Sequence, residues 1–338
     1  MVELVTQIDD ILIEQWESFV RTHPQGSVFQ SYSMFKCYLE TDGHEPLLFV
    51  AYDNGKLVGI LLADVIKEKG LIKSKLSSRS IIIAGPLAKE NDGKIVNSLL
   101  DSYNSHISHS SIIYTQIRNL FDRLPINDAF QMNGYRFEPH LNYLVKLDSE
   151  ENIWGRMGKG RLKQIKKAQK NELEVLSYPP GTISDDLIQD GYEIIKDVYQ
   201  HAGLPLTDVG MLKHANGEDL LTLFVVRDKC GNMIGCRFAL VSGSCLYGWY
   251  AGSYHKYYSL YPNDLLIWET LKWGCAHGFK YFDYGGAGNP NKHYGVRDFK
   301  AQAGGELVNY GRYQCVHKKL LMSFGKLGLS LYKKISQK

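Results

Sequence analysis

One long internal repeat constrains this chain more than any other feature. Leu48-Phe-Val-Ala-Tyr-Asp53, followed by Gly55-Lys-Leu-Val-Gly59, reads as a strand, a tight Asp/Gly turn and a second strand. Leu223-Phe-Val-Val-Arg-Asp228, followed by Gly231-Asn-Met-Ile-Gly235, repeats it with one extra turn residue. Helical patterns precede both hairpins, over 9–21 and 31–40 in the first copy and over 184–200 and 207–215 in the second. Both lead into the same continuation: a strand (81–84; 245–251), a helix (92–106; 263–277) and a short strand (112–117; 281–284). Each half therefore predicts a mixed-sheet α/β unit. The period is far longer than the ~20–50 residues of a solenoid repeat, so the pattern reads as a domain duplication.

The expected organisation is an N-terminal domain over 1–147, a C-terminal domain over 148–315 with a basic segment at 156–171, and a C-terminal helix over 316–338. Gly155, Gly158 and Gly160 weaken the first turns of the basic segment, so its regular helix is expected over about 159–171. With 338 residues, 44% of them apolar, the chain can bury two cores. Its longest wholly aliphatic run, 81–84, falls far short of the ~18 residues of a membrane span. The first residues, Met1-Val-Glu-Leu-Val5, carry no secretory pattern, and a cytoplasmic location is expected. Six scattered cysteines without a C-x-x-C pair read as reduced thiols. A net charge of +3 is too small for nucleic-acid binding by bulk charge, which leaves the distribution of charge to decide.

Three segments carry chemistry. Arg156, Lys159, Arg161, Lys163, Lys166, Lys167 and Lys170 form a cationic run without one acid, readable as a solvated face or as a phosphate-binding surface. The stretch 246–261 holds Tyr247, Trp249, Tyr250, Tyr254, Tyr257, Tyr258 and Tyr261, enough rings to line a substrate groove even if about half pack inward. In the third, a strand ends at Asp283, paired glycines follow at Gly285-Gly286, and Phe299-Lys300 sits on a short helix where the lysine can reach back over the strand end. No metal site is expected, because His106 and His109 lack acids at ligand spacing, and no covalent nucleophile is evident. His293 is a further candidate base or a surface histidine.

Pro262-Asn-Asp-Leu-Leu-Ile-Trp268, Phe282-Asp-Tyr-Gly-Gly286 and Gly295-Val-Arg-Asp-Phe-Lys300 with Gly304-Gly305 resemble the C-terminal signature of the Fem-type (FemABX) aminoacyltransferases. Val28-Phe-Gln-Ser31 with Phe35-Lys36 is similar to that family's N-terminal motif, and the stretch from Arg161 to Asn171 resembles its inter-domain basic helix. The resemblance implies two tandem GNAT-like domains and aminoacyl transfer from aminoacyl-tRNA to an amine of a peptidoglycan precursor, without a cofactor. It further implies that Lys36 contacts a precursor diphosphate and that Lys300 works at the acyl-transfer centre. Arg161, Lys163, Lys166 and Lys167 would then hold donor phosphates. Where the family often carries an arginine, this chain has His201, a titratable group in place of a permanently charged one.

On that reading Lys300 and Asp283 are the catalytic candidates, Asp283 orienting or deprotonating the amine. Lys36, His201, Trp249, Tyr250, Tyr254 and Arg297 are the substrate-binding candidates. Two alternatives stay open: an acyl-CoA-dependent N-acyltransferase acting on a nucleotide-sugar or surface polysaccharide, and a non-catalytic precursor-binding protein. Against the first, neither 85–91 nor 252–258 has the R/Q-x-x-G-x-G/A loop that cradles a CoA pyrophosphate. In 316–338, lysines without acids combine with leucines at helical spacing. That pattern predicts a basic amphipathic helix that docks on the protein or touches the inner membrane leaflet.

Overall fold

The computed structural model describes residues 1–68 and 77–323. They fall into two compact units, Met1–Pro139 with the described residues from Tyr310 onward, and His140–Asn309.

The first unit runs β1 (Val2–Leu4), α1 (Asp10–Thr22), α2 (Tyr32–Glu40), β2 (His44–Asp53), β3 (Lys56–Ile66), β4 (Arg79–Ile83), β5 (Leu87–Ala88), α3 (Gly93–Ile107), β6 (Tyr114–Arg118), α4 (Asn127–Met132) and β7 (Arg136–Glu138). Local chemistry sets these bounds. Asp9, Ser31 and Asp92 each accept a backbone N–H of the helix that follows, which satisfies a donor the first turn would otherwise leave bare. The β2–β3 turn is Asn54-Gly55 with φ of 48° and 75°, the left-handed pair that the strand twist demands of a two-residue hairpin. Helix α3 buries Val96, Leu99, Leu100, Tyr103 and Ile107, one face at helical spacing, into the core under the sheet.

The second unit runs β8 (Asn142–Lys146), α5 (Glu150–Arg156), α6 (Lys159–Lys170), β9 (Glu174–Tyr178), α7 (Asp185–Ala202), α8 (Val209–Gly217), β10 (Leu221–Arg227), β11 (Met233–Ser242), β12 (Cys245–Ser253), α9 (Pro262–Ala276), β13 (Tyr281–Asp283), α10 (Gly295–Ala301) and β14 (Glu306–Val308). Its strands are ordered β14-β8-β13-β12-β11-β10-β9, all antiparallel neighbours except the parallel pair β12–β13. Helix α9 packs across this sheet with Leu265, Leu266, Ile267 and Leu271 fully inside.

The last strand, β15 (Arg312–Val316), returns to the first sheet and pairs with both β6 and β7, giving the order β1-β2-β3-β4-β6-β15-β7 with β5 attached to β3. This corrects the expected borders. β8, assigned from sequence to the first domain, is an interior strand of the second sheet, and β15, assigned to the second, lies between β6 and β7 of the first. Alternating apolar residues mark a strand but not its partner, and Val145 pairs with Phe282 far along the chain. Of the expected helix over 316–338, residues 319–323 are helical, and 324–338 lie outside the described residues.

Candidate active site

The site begins with a break in strand pairing. β12 and β13 pair through Cys245↔Tyr281, Leu246↔Phe282 and Tyr247↔Asp283, and there β13 ends while β12 runs on to Ser253 along β11 alone. The β11–β12 ladder slips at the same level, Phe238 facing Tyr250 and Ala239 facing Gly248, so Trp249 is the extra residue of a bulge. The parted strands open a cavity of about 620 Å³ within the second unit. Tyr199, Trp249, Tyr250, Tyr284 and Phe299 supply rings to its wall, with Arg237 and Lys300 as its cations.

Lys300 reaches the wall from α10. Its Nζ donates to the Tyr284 carbonyl at 2.7 Å and to the Gly286 carbonyl, and lies 5.3 Å from the centre of the Tyr284 ring. Gly286, at φ 125°, adopts a backbone that only glycine enters freely, which lets its carbonyl take part in this grip. An ammonium has three donors, so one remains beyond the two carbonyls. Burial and then the positive charge of Arg237 push Lys300 down to about 8, with Asp283 opposing. Asp283 is 3% exposed, and its Oδ1 accepts from Asn142 Nδ2 at 2.6 Å and from the Gly285 N–H at 2.7 Å. Burial raises its pKa against those two hydrogen bonds and the Lys300 charge.

Residues 209–300 match the family model of the acetyltransferase (GNAT) domain. Over 146 residues the chain is 30% identical to the lipid II:glycine glycyltransferase of Staphylococcus haemolyticus (strain JCSC1435). That stretch is 38% of this chain and 35% of the relative, so the match spans about a third of the relative's length. The crystal structure of FemX superposes with a TM-score of 0.72 at 14% identity, covering 95% of this chain and 99% of FemX. The chain has a tandem GNAT-like fold, the fold of FemX. A tandem GNAT protein from the clavulanic acid biosynthesis pathway is also similar, with a TM-score of 0.60, 11% identity and coverage of 94% and 99%.

Against this Fem-like frame, the residues expected from sequence divide. Lys300, Trp249 and Tyr250 line one cavity. Asp283 is not on its wall; it ties the Gly285 turn to β8. Arg297 donates to the carbonyls of Ala287, Asn289 and Lys292, so its guanidinium holds the 287–292 loop and is not a cavity ligand. Tyr254 lies on the loop beyond Ser253, off the cavity wall. His201, 73% exposed in its side chain, bonds the Asp197 carbonyl one turn back, while its neighbours Tyr199 and Ala202 face the cavity. Lys36 belongs to the first unit, half-buried on α2 with its Nζ over the Tyr32 ring.

The basic run divides as well. Arg161 is 1% exposed, ion-paired with Asp264 in the first turn of α9, bonded to the Phe299 carbonyl and stacked 3.7 Å from the centre of the Phe299 ring. It is a structural cation and not a phosphate ligand. Arg161, Ile165 and Ala168 share the buried face of α6, a spacing already present in the sequence that distinguishes Arg161 from its neighbours. Lys163, Lys166 and Lys167 are exposed.

Two cavity groups went unread in the sequence. Arg237, on β11, is 6% exposed, and burial lowers its pKa. A lone charged residue inside the apolar strand Met233–Ser242 was the available signal. Among the described residues the Tyr284 hydroxyl is buried without a hydrogen-bond partner, and burial raises its pKa, which keeps it protonated.

Proposed function

We propose that the protein is an aminoacyltransferase that moves an aminoacyl group from aminoacyl-tRNA to an amine of a peptidoglycan precursor peptide. The observation that carries this reading is the Lys300 ammonium, gripped by two carbonyls at the open edge of a split sheet in a ring-lined cavity, with a third donor left over. The amine attacks the ester carbonyl, a C–N bond forms, and charge gathers on the carbonyl oxygen, where a preorganised donor lowers the barrier. Collapse breaks the C–O bond. The proton lost by the amine replaces the one taken by the departing ribose oxygen. Asp283 contributes by fixing the turn that grips Lys300 and by its charge.

The likeness to a lipid II:glycine glycyltransferase supports the acceptor class. The exposed Lys163, Lys166 and Lys167 support a polyanionic donor. The start of α9 favours an ester over a CoA thioester. In place of a phosphate at that helix N-terminus stands the carboxylate of Asp264, already paired with Arg161. No helix among the described residues is long and apolar enough to cross a membrane. The acid-free, lysine-rich sequence of 316–338 supports contact with a lipid-linked acceptor.

The test is incubation of the full chain with a pool of charged tRNAs and peptidoglycan precursors, read by mass spectrometry. One added aminoacyl residue on the precursor supports the reading. Acetylation from acetyl-CoA with no aminoacyl product overturns it.

A further inference from the structure

We propose that Arg237 and the Tyr284 hydroxyl form a receptor, at the floor of the cavity, for a singly charged oxyanion carried by a substrate, a carboxylate or a phosphodiester. Both side chains line the cavity and both are at least nine-tenths buried. Among the described residues no carboxylate pairs with Arg237, its Nε has no hydrogen-bond partner, and neither has the Tyr284 hydroxyl. The guanidinium lies 5.4 Å from the centre of the Phe282 ring and 5.8 Å from that of Tyr284. Rings attract the cation but accept none of its N–H donors in the plane. A Cβ on Gly248 would come within 3.1 Å of Arg237 Nη1, so the glycine there leaves the guanidinium uncovered toward the cavity.

Charge balance selects the ligand. Arg161 and Asp264 neutralise each other, and Asp283 faces Lys300, which leaves Arg237 as a buried cation without a counter-charge. A buried unpaired charge is strongly disfavoured, and folds retain one where a ligand completes it. One negative charge completes this one. The planar fork of arginine fits two oxygens of a carboxylate or a phosphodiester, with the phenol as an additional donor.

The inference does not require the transfer reaction, and its test needs no turnover, so either can fail while the other stands. The full chain is titrated with N-acetylglycine, its uncharged counterpart N-acetylglycinamide, and dimethyl phosphate, each followed by ligand-observed NMR and by the thermal midpoint. At least one charged probe should bind tenfold or more tightly than the amide, and the preferred probe assigns the source as carboxylate or phosphodiester. Arg237→Met should erase that preference while raising the midpoint of the empty protein, and Tyr284→Phe should weaken the charged probe several-fold. Equal binding of charged and neutral probes by the wild type overturns the proposal. So does a preference that survives in Arg237→Met, or a lower midpoint in that variant, which would mean that Arg237 is already satisfied in the empty fold.

Discussion

Both units carry a parallel strand pair at the same point of the repeat, and the two pairs end differently. In the first, β4 and β6 stay paired from Arg79↔Tyr114 to Ile83↔Arg118, the full length of both strands. In the second, β12 and β13 part after Tyr247↔Asp283, and the cavity opens beyond the break. Each unit also buries an arginine. Arg123 donates to the Ala84 carbonyl at 2.8 Å and to Asn91 Oδ1 at 3.3 Å, so the fold itself occupies two of its nitrogens. Among the described residues, Arg237 stands in the parted copy without such acceptors. Duplication thus supplied one scaffold twice, and a local failure of strand pairing gave the second copy an open edge where the Arg237 guanidinium faces the cavity instead of carbonyls.

The contrast is most exposed at the Arg161–Asp264 pair, whose Asp264 lines the cavity of the second unit. Asp264→Ala should cost about 3–5 kcal/mol in urea unfolding, because it leaves a buried cation alone. A loss below about 1 kcal/mol would mean that the Phe299 carbonyl and ring suffice for Arg161.

Next in size is Lys300→Met, expected to lower transfer ~10²–10³-fold with an unchanged circular dichroism spectrum. Turnover within tenfold of wild type would remove Lys300 from the reaction. Its protonation adds a sharper reading. With the folded pKa near 8 and an ordinary value of 10.5, the unfolded chain holds the extra proton between those pH values. Wild type should therefore gain stability relative to the Met variant from about pH 8 to pH 10.5, by on the order of 3 kcal/mol. Activity should fall as pH rises through about 8, since the donor is the charged form. A rate that climbs instead would make Lys300 a base.

The two arginines allow a direct comparison. Arg123→Met should destabilise by about 1–3 kcal/mol, as buried acceptors at Ala84 and Asn91 lose their donor. Arg237→Met should raise stability. Equal losses in the two variants would erase the distinction between a closed and an open copy. The smallest effect belongs to the surface: neutralising Lys163, Lys166 and Lys167 together should flatten the salt dependence of tRNA binding by roughly one unit of slope per lysine. An unchanged slope would leave the run as a solvated face.

What the sequence determined by itself is what depends on near neighbours. The duplicated hairpins, the capped starts of α1, α2, α3 and α7, the Asn54-Gly55 turn and the helix over Lys159–Lys170 all follow from periodicity and side chains a few residues apart. Lys300, Trp249 and Tyr250 were legible as cavity residues because glycines, rings and a strand end sit together in the chain. Only the tertiary structure decided which cations are free. Arg161 belongs to a run of exposed lysines by composition, yet its partner Asp264 lies 103 residues away. Asp283 and Arg297 carry charges that suit chemistry, but Asn142, 141 residues from Asp283, and the 287–292 carbonyls claim them. The exchange of β8 and β15 between the sheets has the same cause. A strand's pattern records that one face is buried and not which strand hydrogen-bonds its edge, so pairing across a long chain is settled only when both partners are folded.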